Sequence, residues 1–300
     1  MTRLDQQEMQ KHGLMRKRTL AAEELQEIAA LAALCHEREG IEVRLLWEML
    51  RSRSGQVTND FLYYEDGQLL GYLALYSFNP REAELTGMVH PDRRRQGIFS
   101  LLFRLANQEL RSRGVPRILL FFDRSSPGAQ GFAQAVKAHY HNSEYRMVRG
   151  LESAPLQVER QDGVRIRPAR ADEAPLLTHI TARAFDMAED RALLAETTRD
   201  ITGPRRVTLV TEVAGEVVGL IRYIDDEEEA FIYGFCMLPE YQGKGYGRQT
   251  LAWTVEHILR QRPRRIALEV DTTNEGALAL YRSCGFEITT TFDYYEVPVG

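Results

Sequence analysis

Hydrophobic positions along this chain change period repeatedly, and the changes mark out its elements. Over 20–37 the apolar residues recur at helical spacing, and a shorter helical stretch follows over 43–53. The runs 60–65 and 68–76 read as strands, and the Asp66-Gly67 pair between them predicts a hairpin. A strand over 84–90 leads into a glycine-containing loop, after which Ile98, Leu102 and Leu105 place one apolar stripe on a helix; 118–122 is the next strand. The second half follows the same plan. Its strand 164–167 precedes helices over 171–185 and 189–200, then strands over 207–213, 217–224 and 230–237. Leu251, Val255, Ile258 and Leu259 then fall at i, i+4, i+7 and i+8 on one helix face. Strands that pair as hairpins and then cross over by helices predict an α/β chain with a mixed sheet.

The parallel between the halves extends to single residues. A shift of 148 positions lays 67–129 on the second half without a gap: Gly67 on Gly215, Gly71 on Gly219, Pro91 on Pro239, Gly97 on Gly245, Leu120 on Leu268, Asp123 on Asp271 and Ala129 on Ala277. A period this long is no solenoid repeat and matches a whole domain. The 300 residues therefore divide into two copies of one fold, 1–150 and 151–300. The stretch 149–163, with glycine near both ends and Pro155 between them, reads as the linker.

The most specific chemistry lies where the strand 230–237 meets the helix after it. Gln242, Gly243, Lys244, Gly245, Tyr246, Gly247 and Arg248 form a glycine-rich turn at a helix N-terminus. Such a turn aims backbone N–H groups outward beside the positive end of the helix dipole, which suits a pyrophosphate. Glycines there remove the Cβ atoms that block close approach. Downstream, Asn274, Ala277, Tyr281, Gly285 and Phe286 make the string N-x-x-A-x-x-x-Y-x-x-x-G-F.

In this order and separation the two motifs resemble the two parts of the signature of the GNAT superfamily of N-acetyltransferases. The resemblance implies two tandem GNAT-like domains, each a mixed, mostly antiparallel sheet flanked by helices. It also implies an acyltransferase that moves the acetyl group of acetyl-CoA to a primary amine by direct attack. Acetyl-CoA would enter where the strand ending at Met237 and Leu238 splays from the strand 266–270, its pyrophosphate cradled by residues 242–248. Asn274 would hold the pantetheine arm, and Tyr281 would protonate the departing thiolate as general acid. Tandem members of this length include mycothiol synthase-like enzymes, which this chain resembles in architecture.

The first copy departs from the pattern where chemistry needs it. Its loop reads Arg94, Arg95, Gln96, Gly97, Ile98, Phe99; Ser126 stands for Asn274 and Ala133 for Tyr281. Phe99 replaces the glycine of the other copy, and its ring either obstructs the approach of a phosphate or points into the core with the helix it begins. The 1–150 domain is expected to keep the fold with a degenerate cofactor loop and no catalysis, and 151–300 to be the catalytic domain. A base for the amine is harder to find, because 231–238 holds no Asp, Glu or His. Glu229 is the expected base, with Glu228 beside it in the acidic run 225–229, although such a run is also what a solvated turn looks like. A non-catalytic acyl-CoA-binding regulatory module is the alternative.

A net charge of -5 and a pI near 5.9 argue against a general nucleic-acid binder. Cys35, Cys236 and Cys284 are odd in number and widely spaced, fitting neither a disulfide framework nor a zinc site and suggesting a reducing compartment. His90, His179 and His257 sit in no metal-ligand spacing, so no metal is expected. No apolar run approaches a membrane span, and residues 1–13 are polar. The expectation is a soluble, cytoplasmic monomer or homodimer whose partner is a small-molecule or peptide amine.

Overall fold

The structure is a computed structural model that describes residues 11–154, 156, 161–227 and 229–300. Glu228 and part of the expected linker lie outside the described residues. The chain forms two compact units, Met1–Ser143 with Thr290–Gly300, and Glu144–Thr289.

The first unit contains β1 (Gly13–Lys17), α1 (Ala22–Glu39), α2 (Trp47–Arg51), β2 (Asp60–Glu65), β3 (Gln68–Asn79), β4 (Glu82–Val89), α3 (Ile98–Ser112), β5 (Arg117–Asp123) and α4 (Pro127–Ala135). The strand β6 (His139–Arg149) begins within it. Its strands run in the order β1-β2-β3-β4-β5-β12, where β12 is Glu287–Pro298. All neighbours pair antiparallel except β4 and β5, which are parallel. On one face α3 buries Ile98, Leu102, Ala106 and Leu110, spaced four apart, among core residues of β3, β4 and β5. The approach is close: a Cβ built on Gly71 of β3 would lie 2.6 Å from Cγ2 of Ile98. The other face packs Ile28, Leu31 and Cys35 of α1 against Tyr72, Tyr76, Phe121 and Phe292.

The second unit contains β7 (Val164–Pro168), α5 (Ala174–Phe185), α6 (Arg191–Thr202), β8 (Arg206–Val213), β9 (Glu216–Asp225), β10 (Glu229–Met237), α7 (Tyr246–Gln261), β11 (Arg265–Asp271) and α8 (Glu275–Ser283). Its strand order is β6-β11-β10-β9-β8-β7. Again only one pair, β10 and β11, is parallel. Leu251, Val255 and Ile258 of α7 and Leu278 and Tyr281 of α8 pack on Leu209, Ile221, Ile232 and Leu268 of the sheet. Leu177 and Ile180 of α5 cover Val210, Leu220 and Cys236 on the opposite face. The mixed, mostly antiparallel sheet flanked by helices, expected from the sequence, is thus present in both units.

The structural repeat outruns the sequence match. β5 and β11 have identical lengths 148 positions apart, as do α4 and α8, and β6 lies 148 positions before β12. Here the chain departs from a division at 150. From residue 144, the last strand of the first copy pairs with β11, Glu144 opposite Asp271 through Arg149 opposite Ile266. The last strand of the second copy pairs with β5, Phe292 opposite Asp123 through Pro298 opposite Arg117. Each compact unit is therefore completed by the final strand of the other copy. Hydrophobic period did not mark β1, β6 or β12, because their patterns mix polar and apolar residues on both faces and each finds its partner far away in sequence.

Phe292, Tyr294 and Val297 are all buried in the first unit. A chain ending at residue 289 should consequently lose the first unit while retaining more of the second. Hydrogen exchange should show protection falling in 60–89 well before 206–237; equal loss in both would contradict the exchange of strands.

Candidate active site

β10 and β11 pair from Glu229 opposite Arg265 to Ile232 opposite Leu268, and there the ladder stops. β10 continues to Met237 and β11 to Asp271, so a wedge opens between parallel strands at their C-terminal ends. At the same level β10 bulges. Tyr233 faces Arg222 of β9 but Cys236 faces Leu220, so β10 spends one extra residue within Gly234-Phe235. Gly234 takes φ +55°, a left-handed value that suits glycine.

Beyond β10, a 3₁₀ turn at Pro239–Tyr241 delivers the chain to the glycine loop. The Gln242 side chain donates to the Met237 carbonyl at 3.0 Å and ties the loop to the strand end. Gly243 and Gly245 adopt φ +71° and +85°, and Gly245 is the N-cap of α7. No side chain caps α7, and no acidic residue occupies its first turn. Its first N–H groups therefore have no partner within the helix and point out beside the positive dipole end, a fit for a pyrophosphate. The Lys244 ammonium lies 5.2 Å above the Tyr241 ring, and Tyr246 packs against the same ring. On the loop's flank the Gln161 side chain donates to the Lys244 carbonyl at 3.0 Å, while the Gln161 backbone N–H donates to Gln249.

Asn274 is the N-cap of α8, its Oδ1 accepting from the Ala277 N–H at 3.0 Å; that leaves its amide N–H groups as its donors. One face of α8 carries Tyr281, 8 % exposed, with its ring edge-on to Phe286 at 6.1 Å. Burial pushes the Tyr281 phenol up to about 12, so it is protonated across the neutral range. The three cysteines are free and buried. Burial raises all their thiols, Cys236 to about 11, which removes the thiolate character a nucleophile needs.

Glu229 occupies the other end of β10. Its carboxylate is ion-paired with Arg146 of β6 at 2.6 Å, across the intervening β11. It stands five residues before Gly234, roughly 16 Å along an extended strand. What the sequence did not signal lies under the bulge. Asp200 of α6, 2 % exposed, receives the Tyr233 hydroxyl at 2.9 Å and the Arg206 guanidinium at 2.6 Å, and is ion-paired with Arg222 at 3.2 Å. The one usable clue was a glycine inside a strand, which often marks a bulge or a close approach.

The corresponding wedge in the first unit starts at the same level, β4 and β5 pairing only from Glu82 opposite Arg117 to Leu85 opposite Leu120. It encloses a cavity of about 450 Å³ lined by Gly87, Gly97, Phe99, Leu120 and Phe132 among others. The loop backbone is conserved in shape: Arg95 and Gly97 take φ +63° and +83°, like Gly243 and Gly245. Phe99 does not block this loop. Its ring points inward, edge-on to Phe132 at 4.7 Å, and reaches within 2.9 Å of a Cβ built on Gly87. In the second unit the pair is reversed, with the Phe235 ring of the strand 3.7 Å from a Cβ built on Gly247 of the helix. The aromatic volume has moved from strand to helix. The first unit lacks the bulge, however: β3 and β4 stay in register from Tyr76 opposite Glu84 to Gly71 opposite Val89. Buried Ala133 stands where the second unit has Tyr281.

Among the described residues no cluster of three His, Cys, Asp or Glu side chains could hold a metal, and no helix is long and apolar enough to cross a membrane.

Comparison with known proteins agrees with this architecture. Residues 15–137 and 174–286 each match the family described as the acetyltransferase (GNAT) family. The chain belongs to that family, in tandem. It is an acetyl-CoA-dependent N-acetyltransferase. It is 28% identical over 306 residues to a mycothiol acetyltransferase of Thermomonospora curvata, covering 97% of this chain and 99% of that protein. The fold matches a GCN5-related N-acetyltransferase from Sphaerobacter thermophilus, with TM-score 0.80 at 19% identity, covering 95% of this chain and 96% of that one. It also matches a tandem GNAT protein from the clavulanic acid biosynthesis pathway, with TM-score 0.73 at 18% identity, covering 96% and 99%.

Since the half-buried Phe99 ring packs on Phe132 and against Gly87 at the edge of this cavity, Phe99→Ala should destabilise that unit by about 2 kcal/mol. Denaturant unfolding checks this; a change under about 1 kcal/mol would mean the ring is not packed as described.

Proposed function

We propose that the second unit carries out acetyl transfer and that the first keeps the shape of a cofactor site without the chemistry. The observation that carries this reading is the coincidence, in one unit, of wedge, bulge, left-handed glycine loop and buried tyrosine. Acetyl-CoA is the co-substrate, and its thioester supplies the acyl group. Residues 242–248 would bind its pyrophosphate through backbone N–H groups, with Lys244 and Arg248 adding charge. Met237 and Leu238 would pair with the pantetheine arm, and the Asn274 amide would donate to it.

The acceptor amine attacks the thioester carbonyl carbon. As charge builds on oxygen, a backbone N–H at the Gly234-Phe235 bulge donates to it. The C–S bond then breaks, and the Tyr281 hydroxyl passes its proton to the leaving sulfur. Glu229 has no direct part in this proposal, because Arg146 holds it roughly 16 Å down the strand. The amine instead enters as its free base and, once bonded to the acetyl carbon, sheds one proton to water. The Tyr281 phenolate takes a proton back from solvent, so that the enzyme is restored and no net proton is left on it. The acceptor is a small-molecule or peptide amine, with the chain acting as a monomer or homodimer and without nucleic acid. The mycothiol acetyltransferase relative spans both units end to end, which puts a mycothiol-type acceptor first in a screen.

Tyr281→Phe should leave acetyl-CoA affinity within about threefold and lower kcat by roughly 10²-fold or more. Because the wild-type phenol ionises only near 12, kcat/KM should rise with pH until the acceptor's own pKa and stay level to about pH 10. Glu229→Gln should leave that profile unmoved; a displaced rising limb would restore Glu229 as the base. Calorimetric titration with acetyl-CoA separates the units. Gly245→Trp should abolish binding that supports turnover and Gly97→Trp should not, whereas the reverse would move catalysis to the first unit.

A further inference from the structure

The bulge requires something to hold it, since an extra residue in a strand leaves the local ladder broken. The Arg222 guanidinium lies directly beneath it: a Cβ built on Gly234 would fall 2.6 Å from Nη1 and 3.4 Å from Cδ of Arg222. That guanidinium is fixed from both sides. Nη2 donates to Thr181 Oγ1 of α5 at 3.2 Å, and Nε is ion-paired with Asp200 of α6 at 3.2 Å. Asp200 is itself anchored by Tyr233, the residue just before the bulge, and by Arg206 of β8. Arg222 is 4 % exposed and Asp200 2 %. A buried charged pair costs desolvation that a well-packed apolar pair avoids, so its value here lies in fixing a geometry.

The first unit serves as a control within the same chain. There Ala74 and Thr86 lie 148 positions before Arg222 and Gly234, face each other in unbroken register, and no bulge forms. At this level of the strand pair the arginine, the left-handed glycine and the bulge occur together in one copy and are all missing from the other, whose β3–β4 ladder shifts register only farther along, between Tyr76 and Asn79.

Building on the proposed role of the bulge in acetyl transfer, we propose that Arg222, held by Asp200, is a positioning residue that sets the Gly234-Phe235 backbone so that its N–H meets the thioester oxygen. Arg222 touches neither substrate nor reacting atoms. It acts through the glycine: the flat guanidinium fills the space below a residue with no side chain, and the strand is lifted by one residue over it. Lysine offers a charge without the plane or the second point of attachment.

The test reads the carbonyl itself and needs no acceptor. Isotope-edited infrared spectra of acetyl-CoA, carbon-13 labelled at the acetyl carbonyl, are taken bound to wild type, Arg222→Lys, Arg222→Ala and Gly234→Ala, with thermal unfolding as the check of folding. Wild type should shift the thioester band to lower frequency than in water. Every folded variant should lose most of that shift while binding acetyl-CoA within about threefold of wild type. Gly234→Ala probes the same contact from the strand side if the arginine variants fail to fold, and the Gly234→Ala, Arg222→Ala double variant should be no worse than the poorer single one. If wild type does not bind acetyl-CoA, the acetyl-transfer reading of this site falls. If it binds without a shift, or if the folded variants keep the shift, the positioning role of Arg222 is wrong while that reading stands.

Discussion

The site depends on two parallel strands that stop pairing. Past Ile232 and Leu268 the ladder between β10 and β11 ends, and backbone donors and acceptors that a sheet would satisfy internally are left facing a wedge. Such an edge is costly to leave dry and useful to leave open, because an extended ligand can complete it. The neighbouring features are arranged around that opening. Gln242 ties the loop to the end of β10, Gly245 begins α7 in a left-handed turn, and α8 brings Tyr281 into a buried position.

The two copies show how a duplicated fold separates scaffold from chemistry. Both retain the wedge at the same level and the same two left-handed loop positions. Both retain the aromatic filling of the space between strand and helix, with the ring donated by Phe99 in one and Phe235 in the other. What differs is small and local: one extra residue in β10, an arginine beneath it, and a tyrosine where the first copy has alanine. Packing rules tolerate the exchange of volume across an interface, whereas a donor aimed at a reacting oxygen has no equivalent elsewhere. The exchanged final strands add a second constraint, since each compact unit requires residues from the other copy to complete its sheet.

The duplication, the alternation of strands and helices, the glycine loop and the tyrosine motif were all legible in the amino-acid order. Each is a local or periodic property: glycine spacing reports backbone freedom, apolar spacing reports which face is buried, and a constant offset reports descent from one copy. For Phe99 the amino-acid order allowed both a ring that obstructs the loop and one that turns inward, and only the tertiary structure decided between them, because the space the ring enters exists through Gly87 on another strand. Glu229 looked available as one acid in an acidic run, but its partner Arg146 lies 83 positions away. Asp200 and Arg222 carried no motif. Their meaning comes from α6, β9 and β10 meeting beneath Gly234, and only the tertiary structure could decide that, because register and bulges are set by contacts between segments remote in sequence.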